Sequence, residues 1–260
     1  MPPVQPPRLR WRAVLIVLAG ALTYWNSLSG PFVFDDRGSI LDNHTIEKLW
    51  DPSVFSAPHE TPVAGRPVVN VSFALNYALG GRDVRGYHAG NVAVHLLCAL
   101  LVFGIVRRTL QLPANQARFG RAGVDMAFAA ALIWAVHPLN SEVVNYLTQR
   151  TESLMALFYL LVLYAGIRAI DKRVAGRRRL GWEAIAVVSS ALGMACKESM
   201  ATVPLVILLY DRVFVFDSLR RALRDRWPFY TALAATWLVL AAMMWTAPRT
   251  LSAGFAAHDA

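Results

Sequence analysis

Of 260 residues, 56% are hydrophobic and 17% charged, and the mean hydropathy is +0.40. This apolar excess excludes a disordered chain and an ordinary soluble domain, in which about 25% of residues are charged, while two cysteines exclude a disulfide-stapled mini-protein. A net charge of +9 leaves nucleic acid, a membrane surface or membrane topology as explanations, and the placement of the charges decides among them.

Residues 13–28 carry no charge after Arg12 and predict a first membrane helix, because about 20 residues at about 1.5 Å each cross about 30 Å of hydrocarbon. Ala19-Gly20-Ala21 would suit signal cleavage, but Tyr24 and Trp25 sit where an interfacial aromatic belt belongs. A long outer loop follows, 29–88, and loops of that length are usually functional. It opens on Phe34-Asp35-Asp36-Arg37. Two adjacent carboxylates at a membrane boundary suit a general base, a metal ligand or a sugar clamp, or simply solvate a turn. Within the loop, 42–50 predicts a short helix capped by Asp42 or Asn43, and 68–79 an interfacial helix too short to span. Asn43 and Asn70 head N-x-[ST] sequons, a pattern common enough by chance to mean little.

A second span, 89–106, carries His88, Asn91 and His95 as a polar stripe suited to helix-to-helix hydrogen bonds. A short third span, 126–136, precedes an outer segment from His137 to Glu152. There Glu142, Tyr146, Gln149 and Arg150 would share one face of a helix continuing into the fourth span, 154–170. Spans at 184–196 and 200–216 flank Lys197-Glu198-Ser199, whose charges either pair with each other or mark the turn. A seventh span is expected at 229–247, and 248–260 reads as the start of a further outer loop. With a cytoplasmic N-terminus, segments 1–12, 107–125, 168–183 and 211–227 are inner. They hold eighteen Lys/Arg against six Asp/Glu, and the rest of the chain holds eight against eleven. Each inner segment is net positive, as the positive-inside rule requires. The basic charge therefore belongs to topology, with attraction to membrane lipids and no nucleic-acid partner.

The order of the outer motifs resembles one family. Phe34-Asp35-Asp36 is followed by Gly65-Arg66-Pro67 and Tyr87-His88-Ala89-Gly90-Asn91. Ala135-Val136-His137-Pro138 with Glu142, Arg150-Thr151-Glu152, Leu192-Gly193-Met194-Ala195-Cys196-Lys197-Glu198 and Leu209-Tyr210-Asp211 complete the series. Over roughly 15–215 these motifs are similar to the membrane half of the transmembrane and tetratricopeptide-repeat-containing O-mannosyltransferases and their bacterial relatives. Those proteins belong to the C-type glycosyltransferase superfamily.

The resemblance implies an all-α, multi-pass membrane protein that transfers a mannose-like sugar with inversion. The sugar passes from a polyprenyl-phosphate carrier to a protein or glycan hydroxyl at the outer or lumenal side. It places the catalytic base at Asp35 or Asp36. Arg66, Arg150 and Lys197 become candidate cations for the leaving phosphate, Glu142 and Glu198 sugar or arginine partners, and His137 a loop-shaping residue. Arg and Lys alone can meet one phosphate, so no metal or cofactor is required. A bacterial inner membrane is expected rather than the endoplasmic reticulum. Family members continue into tetratricopeptide repeats, so residues 1–260 are expected to be one membrane domain, incomplete at its C-terminus and without those repeats. A non-catalytic scaffold that binds lipid-linked sugar and a lipid or solute transporter are the alternatives.

Overall fold

The computed structural model describes residues 7–120, 122–171 and 174–246. The expected outer tail 248–260 lies outside them, as does the last residue of the expected seventh span. All regular structure among the described residues is helical: α1 (Pro7–Thr23), α2 (Pro67–Gly80), α3 (Val84–Leu110), α4 (Pro113–Phe119), α5 (Gly123–Ala135), α6 (Ser141–Asn145), α7 (Arg150–Ala169), α8 (Arg177–Met194), α9 (Val203–Phe214), α10 (Leu219–Ala235) and α11 (Trp237–Thr246). Short 3-10 and π turns join them.

Three helical stretches among the described residues are long and apolar enough to cross a bilayer: Val84–Leu110, Leu147–Ala169 and Leu219–Thr246. Gly123–Ala135 with Pro138–Asn145, bent by 48°, makes a fourth if the pair is one span. The remaining expected spans form shorter or more charged helices. α1 has 17 residues and gives way to a 3-10 turn at Trp25–Ser29. α8 starts on Arg177-Arg178-Arg179, and α9 has only 12 residues because a 3-10 turn, Glu198–Thr202, precedes Pro204 at its first turn. Large apolar side chains such as Leu22, Ile133, Leu205, Leu238 and Trp245 are exposed on the helices, the surface that a membrane protein turns to lipid.

Contacts fix the helix directions. Near its start α3 meets the start of α7 through Asn91 and Arg150, and near its end Gly104 lies under the Tyr164 ring, so these two helices run parallel. α5 runs the other way: His95 of α3 donates to Ala135 O at its C-terminal end, and Gly123 at its beginning abuts Leu110. α8 opposes α7, with Trp182 packed on Tyr164 and its far end leading to Lys197 beside Glu152. Small residues allow the close approaches. A Cβ at Gly104 would stand 2.6 Å from Tyr164 Cε2, and one at Gly166 2.9 Å from Ile207 Cδ1.

The long loop 29–88 is a folded cap with its own core. Ile40, Ile46, Val54, Val63, Val69, Phe73 and Tyr87 bury together with Leu147, Leu154 and Cys196 of the bundle. The helix expected at 68–79 forms as α2, started by Pro67 and ended at Gly81, whose φ of 59° an L side chain rarely adopts. One face of α2, with Val69, Asn70, Phe73 and Ala74, is covered by the cap. Asn43 caps the turn His44–Ile46 by accepting from Thr45 N. Both sequon asparagines are buried: Asn43 Nδ2 donates to Asn70 Oδ1 at 2.8 Å, and Asn70 Nδ2 donates to Val54 O at 2.7 Å. They hold the cap together.

At the opposite end of the bundle, Arg226 and Asp211 form a fully buried ion pair, and Tyr230 also donates to Asp211. Arg226 sits at a kink in α10 (φ −133°), two residues before Pro228, which cannot donate to the helix.

Candidate active site

After the first helix the chain turns through Gly30-Pro31 to Phe34, a non-glycine residue held at φ 45°. Left-handed backbone at such a residue costs about 1–2 kcal/mol, so neighbouring bonds must hold it. Asp36 N donates to Val33 O at 2.9 Å, and Val33 N donates back to Asp36 Oδ2 at 3.0 Å. The two adjacent carboxylates separate as a result. Asp36 is wholly buried, and its Oδ1 accepts from both Thr148 N (2.8 Å) and Thr148 Oγ1 (2.7 Å). Asp35 is exposed, and its Oδ2 accepts from the Tyr146 hydroxyl at 2.7 Å. That hydroxyl accepts in turn from Asp35 N at 3.2 Å. Desolvation and the bond to Asp35 push the Tyr146 phenol up to about 12, so it stays a donor through the physiological range.

Tyr146 lines a cleft of about 430 Å³ with Gly30, Pro31, Val33, His88, Ser141, Glu142 and Asn145. Asp35 is joined to the wall of this cleft by its bond to Tyr146. Glu142 is exposed there, with Gln149 Nε2 at 3.5 Å from its carboxylate. The expected continuous helix from Glu142 to Arg150 is broken. Tyr146 is extended (ψ 110°) between α6 and the 3-10 turn Leu147–Gln149, so Glu142 and Arg150 do not share a face. The break lets Tyr146 leave the helix line and reach Asp35. His137 is exposed and accepts from Leu139 N at 3.2 Å, fixing the turn Pro138–Asn140.

Arg150 is buried and heavily engaged. Its Nε donates to Asn91 Oδ1 at 2.7 Å, Nη1 to Asn76 Oδ1 at 2.5 Å and Nη2 to Tyr87 O at 2.6 Å. The guanidinium lies 4.6 Å from the Phe73 ring centroid. It therefore rivets α2, α3 and α7 together, and a Cβ at Gly90 would come within 2.9 Å of its Nη2. The rest of the polar stripe also bonds across elements: His88 donates to Gly30 O at 3.2 Å, and Asn91 Nδ2 to Val144 O at 3.2 Å.

Lys197 and Glu198 mark a turn, Glu198–Thr202, and also join other segments. Lys197 is ion-paired with Glu152 on α7, and Glu198 faces Arg66 Nη2 at 3.7 Å. Arg66 also donates to Pro62 O at 2.5 Å. Three segments distant in sequence thus converge at a second cluster of mixed charge. The stretch 146–152 links it to the first, since Tyr146 meets Asp35, Thr148 meets Asp36, Arg150 meets Asn91 and Asn76, and Glu152 meets Lys197. Thr148 and Asn76 were not singled out from the sequence. Thr148 carries no motif of its own, and only its position between Tyr146 and Arg150 hints at its role.

The profile of the family described as dolichyl-phosphate-mannose-protein mannosyltransferase matches residues 61–245. Protein O-mannosyl-transferase Tmtc1 of Drosophila melanogaster is 34% identical over 200 residues, which cover 72% of this chain and 21% of that protein. Tmtc2 of the same organism is 30% identical over 200 residues, covering 72% and 20%. Mouse TMTC3 is 29% identical over 212 residues, covering 77% and 21%. The chain spans about a fifth of the length of these relatives. No solved structure matches it.

Proposed function

The chain belongs to the dolichyl-phosphate-mannose-protein mannosyltransferase family, and from that membership we propose that it transfers mannose from a polyprenyl-phosphate carrier to an acceptor hydroxyl, with inversion, at the outer face. One observation carries the assignment of the base: of the two adjacent carboxylates, Asp35 is exposed and bonded to Tyr146 on the cleft wall, while Asp36 is buried and bonded to Thr148 and Val33. Asp35 takes the proton of the acceptor hydroxyl as its oxygen attacks C1, and the bond from C1 to the phosphate oxygen breaks on the opposite face. Tyr146 fixes the orientation of Asp35.

The departing phosphate gains negative charge and calls for preorganised cations. Arg66 and Lys197 are the cations at the outer cluster, each already oriented by a carboxylate. Glu142, on the cleft wall, is placed to accept from sugar hydroxyls. Arg150 and His137 serve the geometry, the first by riveting helices and the second by closing the α5–α6 turn. The carrier's isoprenoid tail would lie in lipid beside the bundle.

Seven crossings with a cytoplasmic N-terminus belong to the same reading. Alternating helix directions and the basic segments at the end of the bundle opposite Asp35 support it. The same reading takes residues 1–260 as one membrane domain, places it in a bacterial inner membrane, and lays α2 at the interface, where Leu75 and Leu79 are exposed. The test uses the full chain in vesicles with synthetic polyprenyl-phosphate mannose and a Ser/Thr peptide. Asp35→Asn should abolish transfer while leaving donor binding and the amount of inserted protein unchanged. Undiminished transfer by that variant would remove Asp35 as the base.

A further inference from the structure

The end of the bundle away from Asp35 holds a feature that sugar transfer does not use. Arg107 and Arg108 close α3, and Arg168 closes α7 beside them. All three are half-buried, and they lie within electrostatic range of one another. Among the described residues none of the three forms an ion pair. Arg108 donates to Gly104 O (3.4 Å) and stacks 4.7 Å from the Tyr164 ring centroid, and Arg168 donates to the Tyr164 hydroxyl (3.5 Å) and stacks 4.5 Å from that of Trp182. Nε of Arg107 and Nε of Arg168 are buried with no hydrogen-bond partner. Asp171 is within electrostatic range of Arg108. Three like charges gathered with unmet donors call for an anion.

Directly beside them a groove of about 620 Å³ opens between α1, α3 and α7. Its walls are apolar, with Leu97, Leu100, Leu101, Leu157 and Leu161 among them, and Arg10, Arg107 and Arg108 stand at its mouth. From Leu97 to Arg108 the groove follows about 16 Å of helix, close to half of the about 30 Å hydrocarbon thickness, so it is one leaflet deep. A cationic mouth on a leaflet-deep apolar slot matches an anionic headgroup with an attached acyl chain. Free phosphate would leave the slot unfilled, and a zwitterionic lipid would bring a cation to the arginines.

The sugar donor does not fit this place. Asn91, bonded to Arg150 near the Asp35 end, lies sixteen residues before Arg107 on α3, about 24 Å away along the axis. We propose that the groove between α1, α3 and α7 is a binding site for an anionic phospholipid, with its phosphate on Arg10, Arg107 and Arg108 and an acyl chain along α3. This lipid is separate from the sugar donor and ties α1 to the α3–α7 pair. The inference does not depend on the transfer reaction.

The test compares the full chain in nanodiscs of phosphatidylcholine alone, of phosphatidylcholine with phosphatidylglycerol, and of phosphatidylcholine with inorganic phosphate in the buffer. Thermal unfolding and lipid retained through native mass spectrometry are both read. Phosphatidylglycerol should raise the unfolding midpoint and be retained at about one molecule per chain. R10Q/R107Q should lose that retention by at least tenfold, yet be no less stable than the parent in phosphatidylcholine, because it removes two like charges of the groove mouth without breaking an ion pair among the described residues. Leu101→Trp, which fills the groove and leaves the arginines, should also lose retention. Equal retention of both lipids, retention surviving in R10Q/R107Q, or an equal midpoint rise with inorganic phosphate would overturn the proposal. So would destabilisation of R10Q/R107Q in phosphatidylcholine alone.

Discussion

Replacing Arg150 with methionine separates a structural from a substrate-binding role at the most deeply engaged cation near the Asp35 end of the bundle. Methionine keeps the length of the side chain but donates nothing. The carbonyls of Ser72 and Tyr87 lie inside α2 and α3 and keep helical partners, whereas Asn91 Oδ1 and Asn76 Oδ1 lose the donors they share with Arg150. Leaving a buried acceptor unsatisfied costs about 1–3 kcal/mol. Loss of both bonds and of the guanidinium stacked on Phe73, offset in part by removing a buried charge, leaves a destabilisation of about 3 kcal/mol. Arg150→Lys keeps the charge, but one nitrogen cannot span amides on two helices, so it should lose about half as much. Equilibrium unfolding in mixed detergent micelles, with donor binding measured on the folded fraction, reads both effects. A variant within about 0.5 kcal/mol of the parent that no longer binds donor would refute the rivet and make Arg150 a phosphate ligand.

Exchanging Glu152 and Lys197 tests the outer cluster: each single reversal should weaken transfer, and the double exchange should restore part of it, with a coupling of about 1 kcal/mol in a double-mutant cycle. Gly104→Val should lower stability by about 1–3 kcal/mol through a collision with Tyr164, and Tyr164→Ala should relieve that loss in the same unfolding titration. Expression in a host that glycosylates sequons should leave Asn43 and Asn70 bare, seen as unchanged mobility after glycosidase, because both amides are buried and bonded to each other. For Tyr146 the folded pKa lies above the ordinary phenol value. Its contribution to stability is therefore complete below about pH 10 and falls away as pH rises through about 12. Phenolate absorbance against pH, with Tyr146→Phe as reference, should show that late titration.

Membrane character and the all-helical build were legible because hydropathy and helical periodicity act through local sequence alone. The bonding role of the His88–Asn91–His95 stripe followed from helical spacing, and each member meets another element. Less legible were features set by tertiary contacts. Helical periodicity suggested one face from Glu142 to Arg150, but the bond from Tyr146 to Asp35 outweighs local propensity and breaks the helix. The neighbours Asp35 and Asp36 are equivalent on paper. Only the strained turn at Phe34 and the reach of Thr148 leave one exposed beside Tyr146 and send the other to the interior. Pairing of Lys197 with Glu152 and of Glu198 with Arg66 needed the folding of the cap, which no local pattern announces.

The most direct test of the account follows a single turnover of anomerically pure polyprenyl-phosphate mannose by the full chain, with the configuration of the mannosylated peptide read by NMR. The account predicts a product inverted at C1, formed by the parent and by Asp36→Asn if that variant folds, and absent with Asp35→Asn. A retained configuration, or transfer that survives loss of the Asp35 carboxylate, would contradict it.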